Sequence, residues 1–225
     1  MDKPVTKIRS YITRAGRISP AQKRALEELL PKYGCMAEEG VSLPLDRWFP
    51  DRTSLILEIG FGMGEATAEI AKARPDSSFI AVEVHKPGIG RLLNQIEREE
   101  LHNIRVVEGD AEIVVNSMLP AGSLSGVHIF FADPWPKKKH HKRRLIQATF
   151  LEALCLRLVP GGYIYAVTDW EDYAQWIIEE SGKVISLRNP GRGFSAPAAW
   201  RPRTRFEKKG LDKQHSIREI WLEKV

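Results

Sequence analysis

Five short apolar runs recur roughly 20–35 residues apart along the chain: Leu55–Gly60, Phe79–Val84, Ile104–Asp110, Val127–Asp133 and Tyr163–Asp169. Helical apolar periodicity fills the gaps between them, over Glu65–Ala73, Gly88–Leu101, Ala111–Leu119 and Leu145–Leu158. Continuous apolar strands that alternate with helices must be buried on both faces, which is the condition of a parallel sheet between two helical layers. The expected fold class is therefore α/β, Rossmann-like, with a mostly parallel sheet. Two further strand-like segments, Lys183–Asn189 and Ser216–Val225, have no helical period between them. They are expected to make an antiparallel return, bringing the sheet to seven strands. The loop 188–214 that joins them is rich in Pro, Gly and Arg, the composition of a binding loop or lid.

Upstream, Ser19-Pro20-Ala21-Gln22 has the form of a helix start: a serine N-cap, proline at the first helical position and glutamine placed for a capping box. That helix presents Leu26, Leu29 and Leu30 on one face and ends near Gly34. Residues 1–50 read as a basic N-terminal arm and helix packed on a main domain spanning 51–225. The first residues lack the apolar core of a secretory signal, and no apolar run reaches membrane-spanning length. The arm shares its acid-poor, basic character with transit peptides, but a mobile basic arm is the preferred reading. Cys35 and Cys155 read as reduced structural thiols of a cytoplasmic protein, too isolated in sequence for a metal site.

Chemistry concentrates at the strand ends. In open α/β sheets the ligand sits beyond the carboxyl ends of the strands, where the strand order reverses. Each run here closes on or near an acid: Glu58, Glu83, Asp110, Asp133 and Asp169. The first leads into Gly60-Phe-Gly62-Met-Gly64, where glycines permit tight turning and close backbone approach. A dinucleotide fingerprint would need a third glycine at 65, but Glu65 stands there and would repel a pyrophosphate at the helix start. A cationic, phosphate-free nucleoside such as S-adenosylmethionine suits the loop better. Glu83 is placed to accept ribose hydroxyls. Asp110 is placed for the adenine amine, with the backbone N–H of Ala111 reaching the ring. Asp110 also reads as a helix cap.

The fourth run ends in Asp133-Pro134-Trp135-Pro136, followed by Lys137, Lys138, Lys139, His140, His141, Lys142, Arg143 and Arg144. Proline fixes the backbone on both sides of the indole and extends Asp133, which suits a rigid turn or a base-binding carboxylate beside an aromatic face. The tetrad departs from the Asp/Asn-Pro-Pro-aromatic pattern of amino-methyltransferases because Trp135 takes the second proline's place. This points away from an exocyclic amine as target. The six cations of the run exceed the whole chain's net charge of +5, so the remainder is close to neutral. A concentrated patch without acids suits phosphates, hence nucleic acid, better than a solvated helix face. The adjacent histidines have no matched third ligand and read as RNA contacts rather than metal ligands.

Together LEIGFGMGE, VEVHKPGI, GDA, FFADPWPKKKHHKRR, VTDWEDYA and TRFEKKG resemble the tRNA (guanine-N7)-methyltransferase family from about Leu55 to the C-terminus. The resemblance implies S-adenosylmethionine as donor and N7 of the guanine at position 46 in the tRNA variable loop as acceptor. Carried over by position, Glu58, Gly60, Gly62, Gly64, Glu83, Asp110, Ala111 and Asp133 would serve the cofactor, with Asp133 also catalytic. Lys137, Asp169, Thr204, Arg205, Phe206 and Glu207 would hold the guanine, and Lys138 to Arg144 the RNA. Arg205 stands where the family more often has lysine, keeping the charge but not its geometry. No metal, membrane or protein partner is required by anything in the sequence. Two other readings remain: a methyltransferase for an amine of DNA or a small molecule, and a non-catalytic RNA-binding module. A small-molecule enzyme has no need of six clustered cations, and a pure binder has none of a cofactor pocket.

Overall fold

A computed structural model describes residues 8–12, 16–204, 207, 210, 212 and 215–225. The Ser19 capping box forms as expected: Gln22 N donates to Ser19 Oγ at 3.2 Å and Ser19 N donates to Gln22 Oε1 at 2.8 Å. It starts α1 (Pro20–Arg24), which runs through a π turn (Ala25–Leu29) into α2 (Leu30–Tyr33). Then follow β1 (Gly34–Met36), α3 (Leu45–Trp48), β2 (Leu55–Ile59), α4 (Glu65–Ala73), β3 (Ser78–Glu83), α5 (Lys86–Glu99) and β4 (Ile104–Glu108). Next come α6 (Ala111–Ile113), prolonged by a π turn, β5 (Leu124–Phe130), a 3-10 turn (Lys138–Arg143), α7 (Ala148–Arg157) and β6 (Leu158–Thr168). The chain finishes with α8 (Glu171–Ser181), β7 (Leu187–Arg188) and β8 (Arg218–Lys224).

The strands form one sheet in the order β1-β4-β3-β2-β5-β6-β8-β7, with β8 antiparallel to both its neighbours and the other pairs parallel. The expected class and the antiparallel return are present, but the sheet has eight strands, not seven. The extra strand, β1, is three residues long and adds to β4 at the edge. So short a segment carries no apolar period. The sequence pattern also missed α8, whose buried Tyr173, Ala174 and Ile177 make only a narrow stripe among acids.

Alternate strand residues feed two cores. Leu55, Leu57 and Ile59 enter one with α3, α7 and α8, while Ile56 enters the other with the π turn Ala25–Leu29, α2, α4 and α5. Burial on both faces selects the all-apolar strands that mark this sequence. The order reverses between β2 and β5, so their carboxyl ends diverge and leave a crevice. The stretch between β7 and β8 crosses the second core. Trp200 stacks on His128 at 4.9 Å with Arg74 over its ring at 5.1 Å, and Ala198 N donates to Tyr165 Oη at 3.1 Å. The expected binding loop is thus fastened to the sheet at its middle.

Candidate active site

At the end of β2 the chain turns on Gly60, Gly62 and Gly64, with φ of 77°, 61° and 77°. This left-handed backbone is one that side chains rarely adopt, which explains the triplet. A glycine on α5 completes the turn: a Cβ at Gly88 would stand 1.7 Å from Gly62 O, so the loop packs directly against the helix backbone. The sequence reading did not single out Gly88, because its role depends on a contact between distant segments.

Glu83 at the end of β3 holds this loop. Its Oε2 accepts from Gly62 N at 2.8 Å, and its Oε1 accepts from Val84 N at 2.6 Å and His85 N at 3.0 Å. Beneath the loop, Glu58 is 2% exposed. Its Oε1 accepts from Thr67 Oγ1 at 3.1 Å, while Oε2 has no hydrogen-bond partner among the described residues. Burial pushes its carboxyl up to about 7, with the neighbouring charge of Glu83 adding to the shift. A buried carboxylate with an unused oxygen suits a cationic ligand. Asp110 accepts from Glu112 N at 2.9 Å and so caps α6.

Two cavities share Gly60, Phe130 and Phe131 in their walls. The first, about 410 Å³, is lined by Gly62, Glu83, His85, Gly109, Ala111 and Asp133 among others. The second, about 530 Å³, lies against Glu58, Gly64, Glu65, Arg91, Arg203 and Thr204. The structure therefore gathers Glu58, Gly60, Gly62, Gly64, Glu83, Ala111, Asp133 and Thr204 around a pair of adjoining hollows, with Asp110 next to Ala111. Neither wall includes Lys137, Asp169 or Glu207. Asp169, after β6, faces His215 Nδ1 at 3.3 Å, a contact brought by the late loop and missed in the sequence. Thr204 Oγ1 accepts from Glu207 N at 3.1 Å. Glu207 itself is 6% exposed and ion-paired at 2.6 Å with Arg201, which also holds Glu219 at 2.6 Å. Arg205 and Phe206 lie outside the described residues.

The basic run divides by direction. Lys137, Lys138, Lys139 and Lys142 are exposed, as a phosphate-binding role requires. His140 is half-buried, and partial burial together with the cations around it, Lys139 foremost, holds its imidazole below the usual value. His141 turns inward, edge-on to Trp176 at 5.6 Å and with Nε2 3.9 Å from Asp172. Arg143 lies 4.1 Å over the Trp135 ring and donates to Arg9 O at 3.1 Å. Arg144 is 1% exposed and cannot contact RNA, which corrects its assignment to the phosphate-binding run. Trp135 likewise is no open stacking face. It is 8% exposed, covered by Arg143, and its Nε1 donates to Ser10 O at 3.0 Å. Through that bond Ser10, Tyr11 and Ile12 come to line the first cavity. Among the described residues there is no cluster of metal-ligating side chains, and no helix is long and apolar enough to cross a membrane.

The strand order, the glycine loop after β2 and the acids at the strand ends define a Rossmann-like class I methyltransferase fold. Solved structures agree in fold: the 16S rRNA methyltransferase KamB superposes with a TM-score of 0.61 over 84% of this chain and 95% of its own, at 10% identity. The aminoglycoside resistance methyltransferase NpmB1 gives 0.55 over 80% and 92%, at 16% identity. A family model described as "Putative methyltransferase" matches residues 52–220. Proteins named tRNA (guanine-N(7)-)-methyltransferase are 50% identical in Nitrosospira multiformis, over 98% of this chain and 96% of theirs, and 51% identical in Nitrosomonas europaea, over 95% of each. The chain belongs to the tRNA (guanine-N7)-methyltransferase family.

Proposed function

We propose that this protein transfers a methyl group from S-adenosylmethionine to N7 of the guanine at position 46 in the variable loop of tRNA. The observation that carries the donor is Glu58: a buried carboxylate with an unused oxygen beneath a glycine loop that leads into Glu65, whose charge opposes a pyrophosphate. S-adenosylmethionine supplies an electrophilic methyl on a sulfonium. Glu58 and the loop Gly60–Gly64 would face its cationic portion. Glu83 retains acceptor capacity for ribose hydroxyls, and Asp110 with the backbone N–H of Ala111 would take the adenine.

Guanine N7 carries a lone pair and no proton, so this chain has no proton to remove from the acceptor atom. During transfer positive charge moves onto the purine, and fixed carboxylates stabilise it where it develops. Asp133 is exposed at the rim of the first cavity and is proposed as the catalytic group. Asp169 and the hydroxyl of Thr204 are proposed to select guanine, with Lys137 near the strand end. Glu207 would act from behind, its amide fixing Thr204 and its carboxylate fixing Arg201. Lys138, Lys139 and Lys142 would hold phosphates, and residues 1–50 would serve as an accessory segment of the main domain.

The test is incubation with labelled S-adenosylmethionine and unmodified tRNA, followed by mapping of the labelled nucleotide. Label on N7 of the variable-loop guanine is expected. Label on an exocyclic amine, at another nucleotide, or on no RNA at all overturns the reading.

A further inference from the structure

Arg144 ends the most basic stretch of the chain, yet its side chain is buried between elements. Its Nε donates to Pro134 O at 2.9 Å, and its Nη2 pairs with Asp172 Oδ2 on α8. The guanidinium sits over Tyr173 at 5.2 Å and Trp176 at 5.0 Å. Those two rings also fix the following segment: Ile146 N donates to Tyr173 Oη at 3.3 Å, and Trp176 Nε1 donates to Ile146 O at 2.8 Å. One planar group thus joins the loop after β5 to the first turn of α8. The first contains Asp133, and Asp172 in the second follows Asp169 by three residues.

Two features set this apart from ordinary core packing. Arg144 Nη1 has no partner among the described residues, and Asp172, the carboxylate it pairs with, is 60% exposed. A buried charge held so incompletely is a poor device for stability, since an apolar side chain of similar volume does as well or better. The loop it grips is also conformationally costly, with Phe131 at φ 54° and Trp135 at φ 45°. Bulky residues stay in the left-handed region only where surrounding contacts over-determine them. The bond to Pro134 O, between those two residues, is one such contact, and the Trp135 bond to Ser10 is another.

We infer that Arg144 is a positioning residue for methyl transfer, fixing the Asp133 loop against α8 so that the strand-end acids keep their mutual geometry. This rests on the proposed role of Asp133. Lysine could reach one of the two oxygens but not both, because it lacks the planar fork.

The test compares single-turnover methyl transfer by wild type, Arg144→Lys, Asp133→Asn and the double variant. Arg144→Lys is expected to slow transfer about tenfold to a hundredfold. Its S-adenosylmethionine affinity and the salt slope of its tRNA binding should match wild type. In the Asp133→Asn background the same change should add no further loss, because one residue acts through the other. Full activity in folded Arg144→Lys, an equal fold-loss in both backgrounds, or a smaller salt slope overturns the inference; the last would mark a phosphate contact. If Arg144→Lys does not fold, Asp172→Asn removes the anchor from its exposed side. It is expected to slow transfer without adding to Asp133→Asn, and an unchanged rate or an additive loss counts against the inference. A wild-type protein that leaves tRNA guanine N7 unmethylated overturns the functional reading itself, a result distinct from all of these.

Discussion

A single carboxyl, Glu58, is buried beneath the glycine loop and is the group proposed to face the donor's cationic portion. Its folded value of about 7 lies above the ordinary 4.5, so between those two pH values the folded protein holds a proton that the unfolded chain releases. Stability must therefore fall as pH rises from about 4.5 to about 7 and level off above, by about 3 kcal/mol for a shift of this size. Thermal melts should reveal that descent in wild type and its absence in Glu58→Gln. A cationic ligand beside Glu58 favours the ionised form. S-adenosylmethionine binding should then release a proton and tighten as pH approaches 7, as calorimetry in buffers of different ionisation enthalpy would detect. No proton release would remove Glu58 from the donor site. Glu83 ends β3 and accepts hydrogen bonds from three backbone N–H groups. Its position at a strand end is legible in the sequence, whereas its three backbone donors come from a loop more than twenty residues away and from its own turn.

Among the elements, the 3-10 turn after β5 separates charges that the sequence presents as one block. Each exposed lysine that meets a phosphate should contribute about 0.7–0.9 to the slope of log affinity against log salt. Lys138→Ala with Lys139→Ala should therefore flatten that slope for tRNA, measured by filter binding over a salt series, while leaving donor affinity alone. An unchanged slope would make these lysines a solvated face. The late loop yields a complementary expectation. Trp200→Ala removes the stack on His128 and the contact with Arg74, and should cost about 2 kcal/mol in denaturant melts. Because the same loop carries Thr204, KM for tRNA should rise more than KM for the donor. The strands and α4 were legible because their apolar periods are long and unbroken. By contrast, β1 and α8 were not: one is three residues long, and the other hides a narrow stripe among acids.

For the whole molecule, the sheet's reversal between β2 and β5 opens the crevice proposed to hold donor and acceptor, and the N-terminal segment meets it from outside through Trp135 and Ser10. If the acids stabilise charge and accept no proton from the acceptor, the rate of the chemical step should not follow ionisation of the guanine. Single-turnover rates at saturating donor should stay flat above pH 7, once Glu58 is ionised. A rate that climbed with deprotonation of the guanine ring would assign the acids a base's role instead.

What the sequence alone determined was periodicity and local chemistry: which runs must be buried on both sides, where glycine is needed, and which acids end each strand. These follow from residues that act on their near neighbours. Only the tertiary structure decided direction, because a cation's role depends on what packs against it. Lysines and arginines of one continuous run thus part company, with Lys138 and Lys139 turned to solvent while Arg144 is drawn between two aromatic rings and a proline carbonyl. Glu207 parts from its expected neighbours for the same reason. Its partner Arg201 and the strand residue Glu219 meet only when the late loop folds back across the sheet.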